Sequence, residues 1–573
     1  MTPTELKSPA EPSEVALVSM PWAPPNEPCL GLAILKAALT RAGVSCRVQH
    51  AGPELLKFIE EDTYQFLAEA WGLNEFLFTA LLDEDFDEAQ MRAVTGRVLH
   101  QWRRGRRLVK FSTPEAILDL LQTMRHQVMP ALVEDTADWV IATGARVVGF
   151  TCLFDQTMAS LAVAHALKSR DPELTIILGG YALEGDAGPD VARAFPDVNY
   201  VVQGDGEQLI VDLALAARRG AGSGGALPDF PTRVIHAQKY NLNESPTPDY
   251  SDWFAQLAAL RAATGLQVNT AVLPVESSRG CWWGQSMHCV FCGIDDDTLK
   301  YRFKAPERTV AMLEDLRARH GDYVFRFSDY IMPKAYYTEL LPHLAARPDK
   351  FRLHTEIKAN QPQARVQLLA DAGYVAIQPG VESFSTPVLR AMRKGVRGID
   401  NVILLKHAYQ AQLGVYYNVL YGLPDDQPQD YEAVVERLPR LYHLMPPSAR
   451  TETIVTRFAP LQTDFQRFNL QDQPVHHECY DTWFSQDFLA RSGFSLDEYA
   501  YYFKRNFSYS PVLSQLYLEL VMQIDHWKAL HRGGFVELSY ERGADGTLTV
   551  TDTRYGPHPP YALSAAASTL YEA

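Results

Sequence analysis

The residues best suited to chemistry lie in one stretch, Val275-Glu-Ser-Ser-Arg-Gly-Cys281-Trp-Trp-Gly-Gln-Ser-Met-His-Cys289-Val-Phe-Cys292-Gly293. Its three cysteines are spaced C-x7-C-x2-C. Thiolates are soft ligands, and clustered thiolates select zinc or an iron–sulfur centre over hard cations. A structural zinc closes with four nitrogen or sulfur ligands. No fourth cysteine lies nearby, because Cys29, Cys46, Cys152 and Cys479 are scattered along the chain. His288 adjoins Cys289, an awkward place from which to bind the same ion. Three thiolates alone suit a four-iron cluster that leaves one iron open to a substrate. A zinc knuckle completed by His288 or by a distant residue is the other reading of the same spacing.

The elements around this loop must position it. It follows a short apolar run, 270–275, that reads as a strand. From there residues 266–460 repeat strand and helix. Strands are expected at 323–329, 351–360, 374–383, 414–424 and 450–458. Helices are expected at 305–320, 334–345, 362–372, 386–392, 401–413 and 430–444. This is the pattern of a full or partial β/α barrel, in which functional residues sit at strand carboxyl ends. Cys281, Asp329, Glu356, Lys358, Asn360, Gln378, Glu382 and Asn418 are thereby placed at one mouth. Any one of them alone reads as a satisfied structural polar group. Their common position beside the cysteine loop makes the set a candidate site.

The N-terminal half has a second α/β rhythm. A strand at 15–20, a proline-rich loop at 21–28, a helix at 31–42 and a strand at 45–50 form the unit of a doubly wound, Rossmann-like domain. Residues 53–145 read as a helical insertion, with Trp71, Trp102 and Trp139. Strands at 146–153, 174–180 and 200–207 follow, with helices at 156–169 and 208–218. Gly179, Gly180, Gly204 and Gly206 fall at strand carboxyl ends, where open sheets bind ligands and where a glycine lets the backbone approach one. Tight turns without a ligand are the plainer reading. A GxGxxG dinucleotide fingerprint is absent.

The remaining segments carry less information. Residues 1–13 read as a disordered tail, and 14–220 as the first domain. Residues 221–265 read as a linker, entered through the glycine-rich 219–225. Residues 461–573 are an aromatic-rich α+β region that either closes the barrel mouth or packs as ordinary core. Within it a hairpin is expected from 535–540 and 547–552, and a short helix at 563–571.

A chain of 573 residues is too long for one core. With 53 basic and 69 acidic residues the formal charge is −16, which argues against general nucleic-acid binding. The basic run Arg103-Arg-Gly-Arg-Arg107 reads as a solvated face, with docking of an acidic leader peptide as the sharper alternative. Seven cysteines, three of them clustered, do not form a disulfide framework, and a reducing cytoplasm is expected. The N-terminus lacks a signal-peptide pattern, and no run of eighteen apolar residues occurs.

The motifs taken together resemble a known family. SSRGCWW around Cys281, EIKAN at 356–360, IQPGVES at 377–383, MRKG at 392–395, NVLYGLP at 418–424 and HLMPP at 443–447 are similar to the cobalamin-dependent radical S-adenosylmethionine (SAM) enzymes of the RiPP maturation radical SAM protein 1 family. The x7 gap, four residues longer than the usual C-x3-C-x2-C, is shared with that subgroup. The resemblance implies that Cys281, Cys289 and Cys292 hold a [4Fe–4S] cluster and that Phe291 faces the SAM adenine. It implies that Glu356, Lys358, Gln378, Glu382, Ser383 and Asn418 hold the rest of SAM, with carboxylates on the ribose hydroxyls and ammonium and Lys358 on the carboxylate. Asp329 and Glu382 are the candidates to orient SAM or substrate during catalysis.

The first domain resembles the cobalamin-binding domain that precedes many radical SAM domains. Pro21, Trp22, Thr151, Phe154, Gln156, Gly179, Gly180, Gly204, Gly206 and Glu207 are its candidate cofactor residues. The D-x-H-x-x-G motif is missing, which implies a base-off cobalamin without a histidine from that motif.

The implied activity is methylation of an unactivated carbon in a ribosomally made precursor peptide. One SAM is the methyl donor through methylcobalamin, and a second is the source of a 5′-deoxyadenosyl radical. Radical cyclisation, rearrangement or cross-linking, and polar methylation, are the alternatives within the class. A non-enzymatic iron–sulfur or zinc protein is the alternative outside it. The implied partners are the peptide and a flavodoxin- or ferredoxin-type reductant, with no nucleic acid and no membrane, and the protein is expected to be a monomer. Relatives in the family continue further, so an additional recognition domain is not expected within this sequence.

Overall fold

Val15-Ala-Leu-Val-Ser19 is apolar at four consecutive positions, the pattern of a strand covered on both faces. In the computed structural model it is the inner strand β1 of a parallel sheet, and Val15 through Val18 are wholly buried. The structure describes residues 12–70, 72–83, 92–96, 113–220, 222–470, 472–534, 536–556 and 558–572. Trp71, Trp102, the run Arg103–Arg107, Phe535 and all but the end of the N-terminal tail lie outside the described residues. The chain forms two compact units.

The first unit comprises residues 1–275, 308–325 and 475–504. With β1 (Val15–Ser19), β2 (Cys46–His50), β3 (Val147–Thr151), β4 (Thr175–Gly179), β5 (Tyr200–Gln203) and β6 (Val234–His236), its sheet has the order β2-β1-β3-β4-β5-β6, every pair parallel. Val15, Leu17, Val48, Val147 and Ile177 pack with Leu39 and Leu213 of the flanking helices. Burying each such side chain contributes about 1.5–3 kcal/mol. Strand order reverses between β1 and β3, which opens a crevice at their carboxyl ends.

The insertion between β2 and β3 is helical where described, from Ala51–Leu55 through Met129–Thr143. In the segment read from sequence as a linker lie β6 and the helix Ser251–Thr264. Asp252 on that helix accepts a hydrogen bond from the Val48 amide (2.8 Å) and pairs with Lys36 at 2.9 Å. The aromatics of 475–504 pack as core in this unit. Trp483 donates to the Gly72 carbonyl at 2.8 Å, and Phe484 stacks on Phe488.

The second unit comprises 276–307, 326–474 and 505–573. After β7 (Leu273–Val275), which ends the first run of unit one, come β8 (Ser278–Arg279) and β9 (Arg302–Phe303), a short antiparallel pair. Then follow β10 (Val324–Phe327), β11 (Arg352–Ile357), β12 (Tyr374–Pro379) and β13 (Gly414–Val415), neighbours in the order β13-β12-β11-β10. β14 (Asn418–Tyr421) and β15 (Ala449–Glu452) form a separate parallel pair.

The single strand expected at 414–424 is therefore two. Tyr416 donates its amide to Ile377 (3.0 Å) and keeps the first half on β12. One residue later Tyr417 donates its hydroxyl to the Met445 carbonyl, and its own carbonyl accepts from Ser448, both at 2.8 Å. The second half is thus drawn to β15. The helix expected at 334–345 also breaks, into a 3-10 turn at Lys334–Tyr337 and a helix at Leu340–Ala346. Pro342, which has no amide hydrogen, falls in the first turn of that helix, where none is needed. The C-terminal hairpin pairs Leu538–Arg542 with Leu548–Asp552, and Tyr561–Leu563 adds a third antiparallel strand.

Candidate functional site

The cysteine loop is built on a buried carboxylate. Asp329, 1% exposed, accepts from the amides of Ser277 (2.7 Å) and Ser278 (3.0 Å) and from the Ser277 hydroxyl. Burial pushes its carboxyl up to about 6. Both oxygens are used by the loop, so the structure gives Asp329 the task of fixing the approach to Cys281. Buried Glu276 accepts two hydrogen bonds from Arg279 (2.9 and 3.0 Å) and sits 3.5 Å from Lys304. Gly280 turns the chain with φ +78°, and a Cβ there would lie 2.6 Å from the Lys300 carbonyl oxygen.

Beyond this turn the Cys281 thiol accepts from the Gly284 amide at 3.3 Å, and the Cys292 amide donates to the Cys289 carbonyl at 3.0 Å. His288 donates through Nε2 to the Cys292 carbonyl at 2.8 Å, so this nitrogen is taken up by backbone. Burial pushes the Cys289 thiol up and that of Cys292 to about 12, so binding a metal there must displace their protons.

Strand alternation lays out the facing wall. Along β11 and just past it His354, Glu356 and Lys358 are half-buried on one face, while Leu353, Thr355, Ile357 and Ala359 are buried on the other. The register sets Glu356 beside Gln378, whose side-chain amide donates to it at 3.1 Å. Burial, and then the neighbouring Glu382, raise the Glu356 carboxyl to about 7.

Glu382 has φ +50° and pairs with Lys394 at 2.9 Å. Gly380 makes that contact possible, because a Cβ there would be 2.6 Å from the ammonium. The second Glu382 oxygen is buried with no protein partner among the described residues. Lys394 is held charged by Glu382 and by the cysteines against the effect of burial, and it lies 5.8 Å from the Phe291 ring centroid. Lys358 is lowered to about 8 by burial and by Lys394. Its ammonium donates to the Lys394 carbonyl at 2.8 Å.

Cys281, Cys289, Cys292, Phe291, Lys358, Glu382 and Glu356 are thus brought together. Gln378 joins them through Glu356, and Asn418 is exposed at the start of β14. Ser383 is buried and accepts from the Ser385 amide at 3.1 Å, so it shapes the turn after Glu382.

The donor set decides which metal group fits. A single zinc needs its thiolates within roughly 4 Å of one another, since each Zn–S bond is about 2.3 Å. Among the described residues no three His, Cys, Asp or Glu side chains converge closely enough to hold one ion. Three thiolates in one loop, flanked by Lys358 and Lys394, fit three corners of a four-iron cluster.

The first unit has an open edge at the reversal between β1 and β3. Thr151 ends β3, and after it Leu153 and Phe154 are 43% and 42% exposed, an apolar surface left open at a strand end. Tyr501 packs on Phe154 at 4.4 Å between ring centroids. Gly180 has φ +120°, and a Cβ there would come within 2.6 Å of the Cys152 carbonyl oxygen. Gly179 and Gly204 reach the same edge, and the Gly204 amide donates to Glu184 at 2.7 Å. Gln156 is buried, accepting from Leu153 (3.1 Å) and donating to Ser19 (3.2 Å), so it holds the loops rather than facing out. Pro21, Trp22 and Glu207 are buried as well, and the Trp22 N–H has no protein partner among the described residues. Gly206 opens the helix after β5. An apolar edge beside glycine turns suits a macrocycle such as a corrin.

Known proteins share the fold that carries these residues. The Radical SAM superfamily profile matches residues 275–438. A cobalamin-dependent SAM radical enzyme, OxsB, solved with aqua-cobalamin, is similar with a TM-score of 0.58 at 14% identity, over 91% of this chain and 69% of that one. The radical SAM methyltransferase TsrM from Kitasatospora setae, solved with tryptophan substrate and a SAM analogue, gives 0.52 at 14% identity, over 90% and 89%.

The fold is that of the cobalamin-dependent radical SAM enzymes.

Among curated proteins, the uncharacterized methyltransferase PH0819 of Pyrococcus horikoshii is 22% identical over 305 residues, 51% of this chain. The chain spans 63% of that relative's length. Within the radical SAM domain, two lysines escaped the sequence reading. Lys394 was visible only as part of MRKG, and Lys334 follows β10 without a motif. Among the described residues no helix is long and apolar enough to cross a membrane.

Proposed function

We propose that this protein is a cobalamin-dependent radical SAM C-methyltransferase that modifies an unactivated carbon of a residue in a ribosomally made precursor peptide. The observation that carries the reading is the convergence of Cys281, Cys289 and Cys292 with Lys394, Glu382 and Lys358 at the carboxyl ends of β11 and β12. Bound there, a cluster and SAM would supply radical chemistry, and a cobalamin would supply the methyl group. The protein's part is to bind, orient and exclude water. Cys281, Cys289 and Cys292 would hold the cluster. The unpartnered Glu382 oxygen is set to accept from an ammonium, while Lys394 holds that carboxylate in place. Glu356, raised to about 7 by burial and so present in both forms at neutral pH, and braced by Gln378, can give or accept a hydrogen bond at a ribose hydroxyl. Phe291 offers a ring face for the adenine. Leu153 and Phe154 would floor a base-off cobalamin, with the glycine turns at 179–180 and 204 around it.

The peptide substrate, a flavodoxin- or ferredoxin-type electron donor, a monomeric state and a cytoplasmic location complete the proposal. They rest on the motif resemblance over residues 266–460 and on cysteine usage. The test is anaerobic reconstitution with iron, sulfide, cobalamin, SAM and the precursor peptide, followed by mass spectrometry. A peptide heavier by one methyl group supports the reading. A colourless protein lacking both iron–sulfur and corrin absorption overturns it.

A further inference from the structure

The four residues that widen the cysteine loop carry a feature that the chemistry above does not use. Trp282 donates its indole N–H to the Met332 carbonyl at 3.1 Å, and Trp283 donates to the Arg393 carbonyl at 3.0 Å. The same Arg393 oxygen lies 4.0 Å from the Cys289 sulfur, so Trp283 is fixed against a cluster ligand. Each indole face carries an ammonium. Lys334 sits 3.9 Å from the Trp282 centroid, and Lys358 sits 2.9 Å from that of Trp283. Gly395, at φ +62°, leaves the room for this arrangement, since a Cβ there would come within 2.1 Å of the Trp283 ring.

The charges are unevenly compensated. Lys394 is paired with Glu382. Among the described residues neither Lys334 nor Lys358 has a carboxylate partner, and the negative faces of the two indoles stand in for one. An indole holds a cation in place without cancelling its charge. The widened loop therefore keeps two net positive charges beside three thiolates.

We propose that Lys358 on Trp283, seconded by Lys334 on Trp282, is a positioning residue that pins the widened loop over the cysteines and stabilises the reduced, more negative state of the cluster. The inference rests on reading the three cysteines as ligands of a [4Fe–4S] cluster. It assigns the extra loop length to retention of iron and to reduction potential, and leaves the binding of SAM to other groups.

The test uses the full chain, reconstituted anaerobically with iron and sulfide and without SAM, as wild type, Lys358→Met, Lys358→Arg and Lys334→Met. Two readouts are taken: the potential of the one-electron reduction by dithionite, followed by electron paramagnetic resonance, and the rate of iron release to a ferrous chelator. Lys358→Met keeps the stem and removes the charge. Its potential should fall below that of wild type, and iron should leave several-fold faster. Lys358→Arg, which also stacks on an indole, should restore both. Lys334→Met should shift both in the same direction by less, and it carries the test if Lys358→Met holds no cluster. A wild-type cluster with unchanged potential and iron release in the two methionine variants overturns the inference and leaves the proposed function standing. A wild type that assembles no cluster overturns both.

Discussion

At the scale of single residues, the site works through buried carboxylates with different duties. Asp329 satisfies two amides and a hydroxyl of the loop. Its replacement by alanine strands three donors and should cost on the order of 3 kcal/mol. The expected outcome for Asp329→Ala is a lower thermal midpoint and less iron per chain after reconstitution. Asp329→Asn, which keeps an acceptor, should retain more of both. Glu382 differs because it is half of an ion pair. Lys394→Met leaves that carboxylate buried beside thiolates, a change of roughly 3–5 kcal/mol where such pairs are broken, and poor cluster assembly is the predicted result.

Another buried acid lies in the first unit. Glu75 accepts from the Met158 amide and the Tyr499 hydroxyl, both at 2.9 Å. Burial, and then Asp155, raise it from 4.5 to about 8. Between these values the unfolded chain loses its proton and the folded one keeps it, so stability is fullest below pH 4.5 and falls as pH rises toward 8, by up to about 1.4 kcal/mol per pH unit. Asp155, raised to about 6 chiefly by burial, adds to the lower part of that fall. Thermal midpoints at pH 6 and pH 8 should differ in wild type and draw together in Glu75→Gln. Equal midpoints in wild type would contradict this assignment.

At the scale of elements, the carboxyl-end rule made Glu356, Lys358 and Gln378 legible in the sequence, because the functional residues of a β/α repeat gather where its strands end. The same rule placed the cysteine loop with them. Position along a strand could not show what each side chain would do once there. Lys358 has the right charge for a SAM carboxylate, yet its ammonium lies on Trp283 and against the Lys394 carbonyl. Nor could local pattern reveal that the 414–424 run divides between two partners, since the hydrogen bonds that divide it come from Ile377, Met445 and Ser448. Contacts across hundreds of positions, such as Tyr499 on Glu75, leave no local signature at all.

Two glycines test the elements directly. Gly395→Ala drives a methyl into the Trp283 ring, and iron retention should drop while cobalamin binding to the first unit is kept. Gly180→Ala drives a methyl into the Cys152 carbonyl and should do the reverse, with corrin absorption lost and iron content unchanged. Loss of both cofactors in either variant would mean that the two sites do not answer separately to their own turns.

At the scale of the whole molecule, the chain comprises a doubly wound unit with an apolar edge and a radical SAM unit with a three-cysteine loop. The class of each unit was readable from the order of strands and helices, because short connections between alternating elements admit few topologies. Where the units divide was less readable. Residues 308–325 and 475–504 return to the first unit after the chain has entered the second, and no composition change marks either crossing.

The central claim is that one molecule uses the two cofactor sites in a single radical methylation. It is tested most directly by counting small-molecule products against peptide product in one anaerobic reaction of the reconstituted enzyme with its precursor peptide. Equal amounts of 5′-deoxyadenosine, S-adenosylhomocysteine and methylated peptide are predicted. Methylated peptide with S-adenosylhomocysteine but no 5′-deoxyadenosine would contradict the radical route, and 5′-deoxyadenosine with an altered but unmethylated peptide would contradict methylation itself.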